Sequence, residues 1–170
     1  MSRTWVRENE IAMTPAARGP DIRFPPPLVY AAGFLVAWLL NQRLEVLIDG
    51  KGARAAQIAI GGAALAAGLG LMGWAVATFW RARVSVLPIR AARQVVTSGP
   101  FRFTRNPMYV GLTFAYFGVA LLVNWAWPII LLPVVLVVMN VAVIEREERY
   151  LETAFPDAYG PYRQRVRRWL

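Results

Sequence analysis

The sequence predicts an all-α integral membrane protein with about four transmembrane helices, the last two forming a C-terminal helical hairpin, followed by a cytoplasmic amphipathic tail helix. Three observations carry that expectation. Of the 170 residues, 57% are apolar and only 17% charged, and the mean hydropathy is +0.40, too apolar for an ordinary soluble domain of this size. Four apolar stretches, near 27–47, 56–80, 107–124 and 126–144, suit a hydrocarbon core of about 30 Å, which needs roughly 20 residues per helix. The basic residues are also distributed unevenly: on this reading sixteen of nineteen fall on one side.

Taken in order, residues 1–26 are polar and of mixed charge, and they run into Pro25, Pro26 and Pro27, unlike a cleaved signal peptide. They are expected to form a loose cytoplasmic leader with a short amphipathic helix around 5–13, ahead of a membrane domain over 27–170. In the first span Asn41, Gln42 and Arg43 arrive early and must snorkel or sit at the interface. The second span contains Gly68, Gly70 and Gly73 in a literal G-x-G-x-x-G. A dinucleotide loop needs that motif between a strand and a helix, whereas here it lies inside an apolar helix. Helix packing is the expected role, with Gly62/Ala66/Gly70 and Gly73/Ala77 as small residues four apart.

Between the third and fourth spans, residues 124–128 (NWAWP) are so few that the two helices must run antiparallel. Trp125 and Trp127 suit an interface, Pro128 suits a first helical turn, and Pro133 predicts a kink or loosening. Beyond the fourth span the run from Glu145 to Glu152 reads as a helix continuing about two turns into water, since carboxylates at a helix C-terminus would oppose its dipole. Pro156 and Gly160-Pro161 are expected to break the chain. Tyr162, Val166 and Trp169, at i, i+4 and i+7 among Arg163, Arg165, Arg167 and Arg168, then predict a basic amphipathic helix on the membrane surface.

The positive-inside rule places both termini and the 81–105 connection in the cytoplasm, with bacterial inner membrane the expected location. The net charge of +9 is then explained by topology and anionic membrane lipids, with no call for nucleic acid. The chain has no Cys and no His. Zinc sites, thiolate nucleophiles and Ser-His-Asp triads are thereby excluded, no metal is expected, and acid–base work falls to carboxylates, Tyr, Lys or Arg.

The most informative stretch is 97–111 (TSGPFRFTRNPMYVG), a Gly/Pro-punctuated basic loop running into an apolar helix. Its turn residues expose backbone groups, and Arg102 and Arg105 offer planar forks for a carboxylate or phosphate. Asn106, preceding Pro107, is held out of the α region where the helix starts. Glu147 and Glu148 can accept hydrogen bonds from an amine or a ribose diol. A ligand with an amino group, a carboxylate, a ribose and an aromatic base engages all of these, and S-adenosylmethionine is one. The alternatives are topology signals for the arginines, a solvated helix face for the glutamates and interfacial anchors for Phe155, Tyr159 and Tyr162.

Residues 95–111, with Gly99, Pro100, Arg105, Asn106, Pro107 and Tyr109, together with Glu147-Glu148, Leu151, Phe155, Tyr159, Tyr162 and Val166, resemble the two signatures of the isoprenylcysteine carboxyl methyltransferase and phospholipid methyltransferase family. The resemblance implies a membrane methyltransferase that uses S-adenosylmethionine, held in the 93–170 part, and a lipophilic methyl acceptor. The cofactor positions it carries over are Gln94, Val95, Val96, Phe101, Asn106, Pro107, Met108, Tyr109 and Glu147. Arg105, Arg146 and Glu148 are the expected catalytic residues. Asn106 stands where many members have His, and Val143 where the eukaryotic isoprenylcysteine enzymes place an Arg for the substrate carboxylate; Arg146 is the nearest replacement. An isoprenylcysteine-carboxylate-like acceptor is the first reading, a phospholipid amine the second. A non-catalytic lipid-binding bundle and a sterol-reductase-like protein using reduced nicotinamide are the competing classes.

Overall fold

The computed structural model describes residues 19–22, 24–48, 52–85, 92 and 94–170. The helix expected around 5–13 lies outside them. Among the described residues six α-helices follow in order: α1 (Pro27–Arg43), α2 (Arg54–Arg81), α3 (Pro107–Val123), α4 (Ala126–Met139), α5 (Glu145–Ala154) and α6 (Pro156–Arg165). A single 3-10 turn (Gly99–Arg102) precedes α3, and a π-helical segment (Asn140–Ile144) joins α4 to α5 without a break. No strand occurs among the described residues, only an isolated bridge between Leu47 and Trp125.

Among the described residues two helical runs are long and apolar enough to cross a membrane, α2 and the continuous Ala126–Ala154 rod; α3, at 17 residues, is a shorter apolar helix. Only 17% and 28% of their apolar windows are buried. Leu69 and Trp74 on α2, and Ile130, Val134, Val137 and Val141 on the rod, are exposed. An exposed apolar band of that extent calls for lipid, so the protein is membrane-associated. The apolar part of the rod ends at Ile144, and Glu145 opens its charged extension, as the sequence predicts.

α2 packs along α3, α1 along α4, and α3 borders α4. The α2/α3 seam depends on four glycines, but not those expected. A Cβ on Gly68 would lie 2.5 Å from Gly111 O, and one on Gly118 would lie 2.6 Å from Gly61 O. At Gly62, Gly70 and Gly73 it would meet nothing within 4 Å. The close seam therefore uses the seven-residue spacings 61/68 and 111/118, and the expected four-residue ladder is on the other face. Beside this seam, Tyr30, Tyr109, Tyr116, Val135 and Met139 form the core where α1, α3 and α4 meet. Tyr30 pairs with Thr113 at 2.8 Å and meets Tyr116 edge-on at 5.9 Å.

At one end of the bundle, Asn124 caps α3 with φ 63°, turning the chain directly into α4 as the short connection predicts. Arg54 and Gln57 donate to the carbonyls of Leu121 and Leu122, placing a cation on the negative end of α3's dipole. α1 stops at Arg43, short of the expected 47, because 44–48 turns to pair with 124–126: Ala126 N donates to Val46 O, and Val46 N donates to Asn41 Oδ1. Asn41 is thus buried as a chain-reversing cap rather than reaching an interface.

At the opposite end, two expectations are corrected. Gly160-Pro161 does not break the chain; Pro161 lies inside α6, whose turn is pinned by the buried Tyr159 and Tyr162. The predicted 162–169 amphipathic helix ends instead at Arg165, and Val166 is extended. The cause is competition for backbone groups. Arg105 N donates to Arg167 O, while Thr104 Oγ1 and Asn106 Nδ2 both donate to Arg168 O, so 166–168 is drawn across the 104–106 loop. Pro133 sits inside α4 without interrupting it; the irregular turn is the π segment that follows. Ahead of α1, Ile22 is buried in the core, so this part of the expected loose leader is packed.

Candidate functional site

A cleft opens at the end of the bundle where α2 stops, α3 starts and α5 emerges. Its void measures about 780 Å³ with its mouth included, and 17 residues line it. Apolar and aromatic side chains with a few converging ionisable groups make up the lining, the mixture found in small-molecule sites. Gly99 sets one wall: at φ +60° it tolerates a turn that other residues resist, and a Cβ there would lie 2.5 Å from Thr78 Oγ1 on α2. The turn thereby brings Phe101 onto Phe79, with ring centroids 4.8 Å apart. Tyr162 from α6 donates to Phe101 O at 2.8 Å and fastens the tail side to the same turn.

The two adjacent glutamates occupy different environments. Glu148 is 6% exposed and fully engaged: Oε1 accepts from Arg168 Nε at 3.1 Å and forms an ion pair with Arg105 Nη1 at 3.1 Å, and Oε2 accepts from Arg168 Nη2 at 2.6 Å. Arg105 Nη1 also donates to the Tyr159 hydroxyl at 3.2 Å. Glu147 has no cationic partner among the described residues and accepts instead from the Tyr109 hydroxyl at 3.0 Å. Burial pushes its carboxyl up to about 7 and Glu148's charge adds to the rise, while the Tyr109 hydrogen bond opposes it. Tyr159 is pushed up to about 12, first by burial and then by Glu148, with Arg105 opposing. One carboxylate is thus a fixed counter-ion, and its neighbour titrates near neutrality.

A π segment lies just ahead of the pair. A residue inserted into a helix rotates everything beyond it, and π segments recur at functional sites for that reason. Here Val143 and Ile144 are fully buried while Asn140 bridges two charged groups, donating to Glu145 Oε1 at 2.9 Å and accepting from Arg168 Nη1 at 3.0 Å.

Of the residues expected to hold a cofactor, Gln94, Val95, Val96, Phe101, Asn106 and Glu147 line the cleft. Pro107 is buried at the first turn of α3, Met108 packs against the core, and Tyr109 contributes through Glu147. Of the expected catalytic residues, Arg105 and Glu148 line the cleft and Arg146 does not. Arg146 instead donates to Asp21 O at 2.9 Å and pairs with the Asp21 carboxylate, away from the cleft wall. Sequence reasoning missed Phe79, Tyr150 and Arg168, and gave Leu151 a place in a signature but none in the site. Glu147, Tyr150 and Leu151 lie at i, i+3 and i+4, a helical spacing that would have revealed two of them. Arg168 was hidden in a run of arginines. Among the described residues no group of three or more His, Cys, Asp or Glu could hold a metal ion.

The family model described as phospholipid methyltransferase matches residues 56–158, well over half the chain. The chain is similar to the cobalt-zinc-cadmium resistance protein CzcN of Cupriavidus metallidurans, 31% identical over 58% of this chain and 45% of that protein. It is also similar to an uncharacterized protein of Haemophilus influenzae, 54% identical over 21% of this chain and 56% of that one. The matches therefore span about half the length of these curated relatives. No solved structure matches.

Proposed function

Because the chain belongs to the phospholipid methyltransferase family, we propose that it is an integral membrane enzyme that takes a methyl group from S-adenosylmethionine and passes it to a lipophilic or amphiphilic acceptor. The observation that carries this reading is Glu147, a carboxylate without a cationic partner among the described residues, in an aromatic-lined cleft where the apolar helices end. The residue set fits the cofactor: Glu147 accepts from a ribose diol or an ammonium, Phe79 and Phe101 offer ring faces to a base or a sulfonium, and Arg105 offers a fork to a carboxylate. When bound, S-adenosylmethionine supplies an electrophilic methyl on a positively charged sulfur. The chain's own residues align the reactants, exclude water and manage one proton.

Proton handling distinguishes the acceptors. An amine must lose a proton before it attacks, and Glu147, titrating near 7, is suited to take it. A carboxylate acceptor needs only an orienting cation, yet Arg146 is engaged with Asp21 and the open side of the Arg105 fork is taken, on this reading, by the cofactor's own carboxylate. An amphiphilic amine is therefore the favoured acceptor, and an isoprenylcysteine-like carboxylate is the alternative.

Calorimetry on detergent-purified protein tests the reading. S-adenosylhomocysteine should bind and raise the thermal midpoint through ligand linkage, by about 2.7 kcal/mol at a hundredfold excess over its dissociation constant. Binding of NADPH but not of the adenosyl ligand would turn the assignment to a reductase, and binding of neither to a lipid-binding bundle. The charge distribution supports a topology of four crossings with both termini cytoplasmic. Reporter fusions after residues 83 and 170 are expected to score cytoplasmic and one after 51 external; an external signal at 170 refutes this topology.

A further inference from the structure

We infer that Arg168 is a positioning residue that keeps the fork of Arg105 available to a carboxylate in the cleft. The inference rests on the methyltransferase reading and assigns a role to a residue outside both signatures. Arg168 takes the bidentate place on Glu148, through Nε to Oε1 and Nη2 to Oε2, and its third nitrogen is anchored on Asn140. Arg168 thus holds the bidentate side of Glu148, and Arg105 meets the carboxylate at Oε1. Arg105 responds by using Nη1 alone, shared with Tyr159. Its Nε is buried with no partner, and no acceptor among the described residues bonds Nη2. A planar fork with one prong used, on the wall of a cleft, suits a carboxylate.

Without Arg168 the geometry changes in a definite direction. A buried carboxylate that loses its bidentate partner recruits the nearest guanidinium, and that is Arg105, 3.1 Å away. Arg105 would turn onto Glu148 with both prongs and leave the ligand. The tail's backbone contacts, Arg167 O to Arg105 N and Arg168 O to Thr104 and Asn106, need no side chain at 168 and remain available to hold the tail in place.

The test compares two nucleosides that differ by the amino-acid end. S-adenosylhomocysteine carries the carboxylate and ammonium; 5′-methylthioadenosine lacks both. In Arg168→Ala the affinity for S-adenosylhomocysteine is expected to fall by about tenfold or more, the loss of one charge-assisted contact, while that for 5′-methylthioadenosine holds within about twofold. Arg168→Lys keeps the charge but cannot span both oxygens of Glu148. It should melt close to the unaltered protein and show the same selective loss in smaller measure, so the inference stays testable if the alanine variant folds poorly. Parallel losses for both nucleosides in the lysine variant would mean that Arg168 only supports the fold, and would overturn the inference. Failure of the unaltered protein to bind either nucleoside would overturn the methyltransferase reading itself, and the inference with it.

Discussion

Glu148→Gln is expected to destabilise the protein more than any other single charge removal in the cleft. Glu148 is the one carboxylate among the described residues that pairs with both Arg105 and Arg168, and its side chain is 8% exposed against 10% and 30% for theirs. Removing one partner of a buried ion pair strands the other charge, at a cost of about 3–5 kcal/mol in wholly buried cases. Arg168 retains contact with water, so the lower end, about 3 kcal/mol, is the appropriate expectation. For a chain of this length that corresponds to a fall of roughly 6 °C or more in the thermal midpoint. Glu152→Gln is the control, because its partnership with Arg163 lies on the surface and should matter by no more than about 0.5 kcal/mol. Midpoints in detergent that fall equally for the two variants would show that Glu148 is not the counter-ion of a buried cluster.

Glu148 also illustrates what a sequence can and cannot convey. The pair Glu147-Glu148 stands out in the sequence, as do the loop at 97–106 and the Asn106-Pro107 helix start, because turn residues and an X-Pro bond have local causes; Asn106 is indeed non-helical at φ −127°, ψ 54°. The hairpin at 124–128 is legible for the same reason. Which glycines form the seam is not, since lipid is as apolar as a helix face and leaves no contrast along α2 to distinguish Gly68 from Gly70. The tail misleads because Tyr162, Val166 and Trp169 have helical spacing, while the carbonyls of 167 and 168 are claimed by a loop sixty residues earlier. No propensity signals that long-range competition. The unequal fates of two neighbouring glutamates have the same origin: Glu148 is paired by Arg168, twenty residues on, and that pairing leaves no local trace.

Glu147→Gln is expected to produce the opposite phenotype, a stable protein that binds its cofactor poorly. The sign follows from the carboxyl titrating near 7 in the folded chain against an ordinary 4.5. Between those values the folded form holds the proton that the unfolded form has released, so native stability declines as pH rises through that window and the decline is complete above about 7. Glutamine does not titrate, so the variant should lack this decline and melt no lower than the unaltered protein at pH 8. Binding should move the other way. If the ionised carboxylate accepts a hydrogen bond from the ribose or ammonium of S-adenosylhomocysteine, that charge-assisted contact is worth roughly 1.5–3 kcal/mol, and affinity falls about ten- to a hundredfold on substitution. The unaltered protein should also bind more tightly as pH rises from 6 to 8, because the ligand selects the ionised form, whereas Glu147→Gln should show a flat profile over the same range. Tyr109, whose hydroxyl donates to Glu147 at 3.0 Å, provides a cross-check: Tyr109→Phe removes the contact that favours ionisation and should shift the midpoint of the binding profile to higher pH. A Glu147→Gln variant that keeps both full affinity and the pH dependence would place the titrating group elsewhere in the cleft and remove Glu147 from the binding site.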